Sequence, residues 1–221
     1  MDTISPHAWE VSPSEARQIQ RELAGRVSRT NHIGEVRLIA GTDVAVGGRA
    51  GPARAAVVLL SYPDLALVES STVETPLSFP YIPGLLSFRE TPALMKAFQQ
   101  LSRSPDLVMV DGHGYAHPRR FGIACHVGVL LDIPTIGCAK SRLIGQHADV
   151  GDEPGDWTPL LDEDEIIGAV VRTKAHTKPI YVTVGHKVDL EGAMSWVLRC
   201  CRGYRLPEPT RLADLAAGGK L

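Results

Sequence analysis

Near residue 88 the apolar pattern of this chain turns from a run of strands to alternating helices and strands, and that change restricts the folds open to it. Three strand-like runs precede it: VRLIAGTDVAV (37–47), ARAAVVLLSYP (53–63) and LALVESSTVETP (65–76). The glycines and proline of GGRAGP (47–52) predict a hairpin between the first two, and short turns throughout predict an antiparallel meander. Beyond them, FRETPALMKAFQQLS (88–102) reads as an amphipathic helix and DLVMVD (106–111) as a strand. RRFGIACHVGVLLD (119–132) reads as a buried helix and TIGCA (135–139) as a short strand. A β-α-β-α-β succession requires parallel strands and right-handed crossovers. The pattern therefore predicts an α/β fold, a mixed sheet of meander plus parallel βα units flanked by helices.

A helix is expected over 12–28, where Ser12, Pro13 and Glu15 form a capping-box start and Ala16, Ile19, Leu23 and Val27 recur at helical spacing. Residues 143–171 hold eight acids and no Lys or Arg, and read as a solvated loop kept away from any phosphate. AVVRTKA and PIYVTVG suggest a late hairpin on the periphery, followed by helices over 189–201 and from about Pro207. The 221 residues suffice for one large domain, 1–221. The N-terminus lacks the basic start and apolar run of a signal peptide, and no stretch is apolar enough to span a membrane, so a cytoplasmic protein is expected. Cys125, Cys138, Cys200 and Cys201 form no C-x-x-C pair, which fits buried reduced thiols. A net charge of −2 excludes DNA binding by a general basic excess, leaving a local basic face or bound cations.

Carboxylates inside apolar strands are where chemistry is expected, because water is hardest to give up there. Asp43 lies within LIAGTDVAV, and Asp111 closes DLVMVD before Gly112, His113 and Gly114. One buried Asp is commonly a hydrogen-bonded structural residue. Two on neighbouring strands focus negative charge that a divalent cation resolves, and oxygen-only ligands favour Mg²⁺ or Mn²⁺ over zinc. Glu90, near the start of the second helix, and Asp214, in the last, are further ligands or else acids that favour a helix terminus. In PYIPG, Pro80 and Pro83 stiffen the backbone around Tyr81 and Ile82, giving a tight turn or a wedge that enters a base stack. Arg89, Arg119, Arg120, Lys140 and Arg142 flank these positions, and His117 stands before a helix start, so Arg89, His117 and Arg119 are candidate phosphate contacts. His113 is either a proton donor or an ordinary loop histidine. No G-x-S-x-G, P-loop, dinucleotide fingerprint or H-E-x-x-H is present. The residues alone lead to a Mg²⁺-dependent phosphoryl-transfer enzyme of nuclease type.

GTDVAV around Asp43, PYIPGLLSFRE (80–90), the block 106–141 and GYRLPEPTRLAD (203–214) together resemble the bacterial endonuclease V family, the deoxyinosine 3′ endonucleases. The resemblance covers nearly the whole chain in order. It implies a ribonuclease-H-like fold and Mg²⁺-dependent hydrolysis, with Mn²⁺ able to substitute, of the second phosphodiester 3′ to deoxyinosine, leaving 3′-hydroxyl and 5′-phosphate ends. DNA carrying deaminated bases is the implied partner, the enzyme being a monomer. By motif, Asp43, Asp111 and Glu90 correspond to metal ligands, Lys140 to a residue near the scissile phosphate, and Asp214 to a position that is Asp or His among members. Pro80, Tyr81, Ile82 and Pro83 correspond to the wedge. Gly84, Leu86, Gly112, Ile123 and Ala139 correspond to a base pocket that reads hypoxanthine through backbone groups. A donor to O6 and an acceptor for N1–H would leave adenine's edge unpaired, a penalty of about 1–3 kcal/mol per group. Thr42 departs from the small apolar residue expected before Asp43, and the chain ends at Leu221, soon after Asp214, without the longer tail of some members. An inosine-specific ribonuclease, a non-catalytic inosine-binding module and a structure-selective nuclease stay open beside this reading.

Overall fold

The computed structural model describes residues 6–47 and 51–221. Helix α1 (Pro13–Ala24) opens on the capping box of Ser12 and Glu15. Strands β1 (Leu38–Val46), β2 (Ala53–Ser61) and β3 (Leu67–Thr75) form the antiparallel meander; residues 48–50 of the first connection fall outside the described residues. Helix α2 (Leu86–Gln99), β4 (Leu107–Val110), α3 (Ile123–Leu131) and β5 (Thr135–Ala139) follow, and β4 runs parallel to both β1 and β5. Three more strands, β6 (Trp157–Asp162), β7 (Glu165–Val171) and β8 (Ile180–His186), then α4 (Leu190–Arg199) and α5 (Glu208–Ala217), end the fold. All eight strands make one sheet, ordered β3-β2-β1-β4-β5-β8-β7-β6.

Alternation along the central strands divides the core between the two faces. Ala40, Val108 and Val110 pack with Leu94, Phe98, Val127 and Leu130 of α2 and α3. Ile39, Leu107, Met109, Ile136 and Cys138 pack on the other side with Ala193 and Val197 of α4. Ala213, Ala216 and Ala217 of α5 close over Ala56 and Val58 of β2. Cys125, Cys138 and Cys200 are buried free thiols.

Three sequence expectations need correction. The acidic stretch is a loop only over 143–156, since over 157–171 β6 and β7 form a hairpin with Leu160 and Thr158 turned inward. Its acids are partly spent on structure, Asp162 and Glu165 holding Arg120 at 2.8 and 2.9 Å. The pair β7 and β8 is not peripheral, because β8 lies inside the sheet between β5 and β7. The helix expected over 119–132 begins only at Ile123, after Arg120 takes a left-handed turn (φ 53°) and Gly122 serves as N-cap.

Candidate metal centre and base pocket

The register of the parallel strands brings the acids together. Thr42 of β1 pairs with Val110 of β4, so the next residues, Asp43 within β1 and Asp111 just past β4, stand side by side where the parallel pairing ends, and the Asp111 N–H donates to the Thr42 carbonyl at 3.1 Å. By the same alternation both continue the face of Ile39 and Met109. Lys140 follows Ile136 and Cys138 on that face, one residue past the end of β5. Ligands of open α/β sheets collect at such carboxyl ends.

Asp214 arrives from the opposite end of the sequence. Helix α5 lies so close over β1 that a methyl on Gly41 would overlap the Pro209 carbonyl. This approach carries Asp214 to the strand ends, where one carboxylate oxygen each from Asp43, Asp111 and Asp214 fall within 4.8 Å of one another. Lys140 Nζ donates to Asp111 Oδ2 and to Asp214 Oδ1, each at 2.6 Å. Burial works against the ammonium, but these acids outweigh it and raise the Lys140 pKa. Burial first and Asp111 second push the Asp43 carboxyl up to about 7. Glu90 lies one turn inside α2, not at its start, and is not one of the three clustered ligands. Its carboxyl is nevertheless pushed up to about 8 by burial and then by Asp43 and Asp111. Lys140 alone leaves negative charge uncompensated among these acids. An all-carboxylate donor set of this kind fits a hard divalent cation.

Beside the acids opens a cavity of about 430 Å³. All five expected pocket residues, Gly84, Leu86, Gly112, Ile123 and Ala139, line it, and Asp111 and Lys140 form a shared wall with the carboxylate cluster. Gly112 sits at φ 148°, and a Cβ there would press on Ile123 Cγ2, so only glycine keeps this wall open. Ile82, Pro83, Gly84 and Leu85 make a β-turn closed by the Leu85 N–H on the Ile82 carbonyl at 2.9 Å, with Gly84 at φ 78°. The turn presents Tyr81, 70% exposed, at the mouth of the cavity beside exposed Pro80.

The three expected phosphate contacts hold this loop instead. Arg89 Nη1 donates to the Phe79 carbonyl at 3.1 Å. Arg119 Nη2 and His117 Nε2 lie 2.6 and 2.9 Å from the Gly84 carbonyl. His117 is only 3% exposed and cannot meet a phosphate; burial and then neighbouring arginines bring its pKa down to about 4, so it is neutral, its bond to Gly84 opposing this only in part. His113 lines the cavity with Nε2 on the Ser141 carbonyl at 2.8 Å, and burial lowers its pKa, which argues against an imidazolium proton donor. Arg142, expected to flank the site, lines the cavity, as do Gln20, Ser87, Ser141 and Leu143, which no motif singled out. For Gln20 a signal existed: an amide on the otherwise apolar face of α1, between Ala16 and Leu23.

Residues 21–215 match the family model for endonuclease V. The chain belongs to the endonuclease V family. An endonuclease V from Gloeobacter violaceus is 51% identical over 214 residues, covering 96% of this chain and 87% of the relative. The crystal structure of endonuclease V from Streptomyces avermitilis superposes with a TM-score of 0.90 at 40% identity, covering 97% of this chain and 95% of that one. A Ciona intestinalis endonuclease V variant, solved with a 23mer DNA containing an inosine followed by a ribo-adenosine, gives a TM-score of 0.84 at 28% identity, covering 95% and 98%. The ribonuclease-H-like architecture and nuclease identity expected from the motifs are thereby established. Among the described residues no helix is long and apolar enough to cross a membrane.

Proposed function

We propose that residues 1–221 act as one catalytic domain that hydrolyses the second phosphodiester 3′ to deoxyinosine in duplex DNA, leaving 3′-hydroxyl and 5′-phosphate ends. The observation that carries this reading is the shared wall, formed by Asp111 and Lys140, between the carboxylate cluster and a cavity with room for a base. Asp43, Asp111 and Asp214 would hold Mg²⁺, or Mn²⁺ in its place, with Glu90 behind them. When bound there, the cation would supply charge neutralisation at the phosphate and a more acidic water. Lys140 keeps a fixed positive charge beside the phosphate and offsets part of the acids' charge before DNA arrives. Tyr81 enters the stack as the deaminated base leaves it, and the stiff turn at Pro83 and Gly84 limits the entropy lost in doing so. The reading includes a monomer, and the buried free cysteines fit a cytoplasmic setting.

A duplex with a single deoxyinosine, compared with the same duplex carrying adenine, tests the reading in Mg²⁺ and in EDTA. Cutting confined to the deoxyinosine duplex and to Mg²⁺ is expected. Equal cutting of both duplexes would leave a structure-selective nuclease, and binding without cutting a recognition module. The ribo-adenosine in the DNA complexed with the Ciona protein favours one second reading, action on inosine in RNA, which the same assay with an inosine-containing RNA addresses.

A further inference from the structure

Gln20 is 1% exposed, on the buried face of α1, remote in sequence from every motif of the site. Its Nε2 donates to two backbone carbonyls, Gly84 at 3.1 Å and Phe121 at 3.2 Å. Its Oε1 accepts from Arg119 Nε at 2.6 Å. Two carbonyl acceptors and one guanidinium donor fix the amide's orientation, and both its hydrogens and its oxygen are used. Arg119 turns its other nitrogen to the same Gly84 carbonyl, which thus receives Gln20, Arg119 and His117 together.

The two carbonyls belong to different backbone segments. Gly84 lines the cavity within the turn that presents Tyr81, and Phe121 leads directly into the lining residues Gly122 and Ile123 at the start of α3. We infer that Gln20 is a positioning residue for base selection, tying the wedge loop to the start of α3 and so setting the separation of the two backbone segments that read the base. The inference rests on the deaminated-base pocket proposed above. A pocket that discriminates through main-chain hydrogen bonds has no side chain to adjust, so its selectivity depends on how firmly those backbones are held. Glutamate at this position would turn a carboxylate oxygen toward two carbonyls, and methionine would keep the bulk while removing all three bonds.

Steady-state cleavage of the deoxyinosine duplex by Gln20→Glu and Gln20→Met, with Mn²⁺ affinity and melting temperature measured on the same preparations, tests this. We expect KM to rise about tenfold in each with kcat within about twofold and Mn²⁺ affinity unchanged, because the metal cluster does not touch Gln20. A fall in kcat at constant KM, wild-type kinetics in both variants, or collapse of both on mild heating would assign Gln20 to folding alone and overturn the inference. A wild-type enzyme that does not prefer deoxyinosine would instead remove the pocket reading itself, so the two failures are distinguishable.

Discussion

Tyr81 shows how a single residue's environment separates function from packing. A tyrosine held 70% exposed between two prolines gains little from burial, so its placement serves something that arrives from outside. Stacking on a base is worth about 1–3 kcal/mol. Tyr81→Ala is therefore expected to weaken binding to deoxyinosine duplex about tenfold or more in a fluorescence titration while leaving binding to undamaged duplex nearly unchanged; parallel losses would contradict a wedge. His117 lies at the opposite extreme. Its pKa near 4 in the folded chain is below its ordinary 6.5, so only the unfolded chain takes up a proton between those values. The contribution is intact above pH 6.5 and is lost as pH falls toward 4, at most about 1.4 kcal/mol per unit. Urea unfolding at pH 7.5, 6 and 5 should show a shallower decline for His117→Gln than for the wild type.

At the scale of elements, the placement of α5 decides whether the acids form a centre at all. Gly41 permits the contact with Pro209, and Asp214 follows from it. Gly41→Ala should cost about 1–3 kcal/mol by overpacking and also weaken Mn²⁺ binding as Asp214 is displaced, measured by thermal melts and Mn²⁺ titration. Unchanged metal affinity in a destabilised variant would show that Asp214 is dispensable. What was legible in the sequence follows the same division. Asp43 and Asp111 could be read because each lies in an apolar strand, where a carboxylate contradicts its surroundings. Asp214 could be nominated from its motif, but its convergence with them depends on a helix–strand approach that leaves only a glycine as its trace. The end of β7 was legible in AVVRTKA, but β6 was hidden because its strand signal is only the inward pair Thr158 and Leu160 between acid-rich segments. Arg89 and Arg119 resemble phosphate ligands in sequence, since nothing local reveals that backbone carbonyls of the 79–84 loop occupy them.

For the whole molecule, a sheet with parallel strands at its centre and antiparallel strands on both sides gathers the chemistry at one set of strand ends while the flanking helices supply the pocket walls. A net charge of −2 means that affinity for DNA has to come from this end of the molecule, through local cations and the metal, not from the surface at large. The central geometric claim is that lesion pocket and metal cluster are distinct sites sharing only the wall of Asp111 and Lys140. Mapping the nick at single-nucleotide resolution on end-labelled duplex with one deoxyinosine tests it, with Asp111→Ala as the control. The account predicts a Mg²⁺-dependent nick at the second phosphodiester 3′ to the lesion, absent in the variant. A cut at the bond adjoining the lesion, or one that persists in Asp111→Ala, would contradict it.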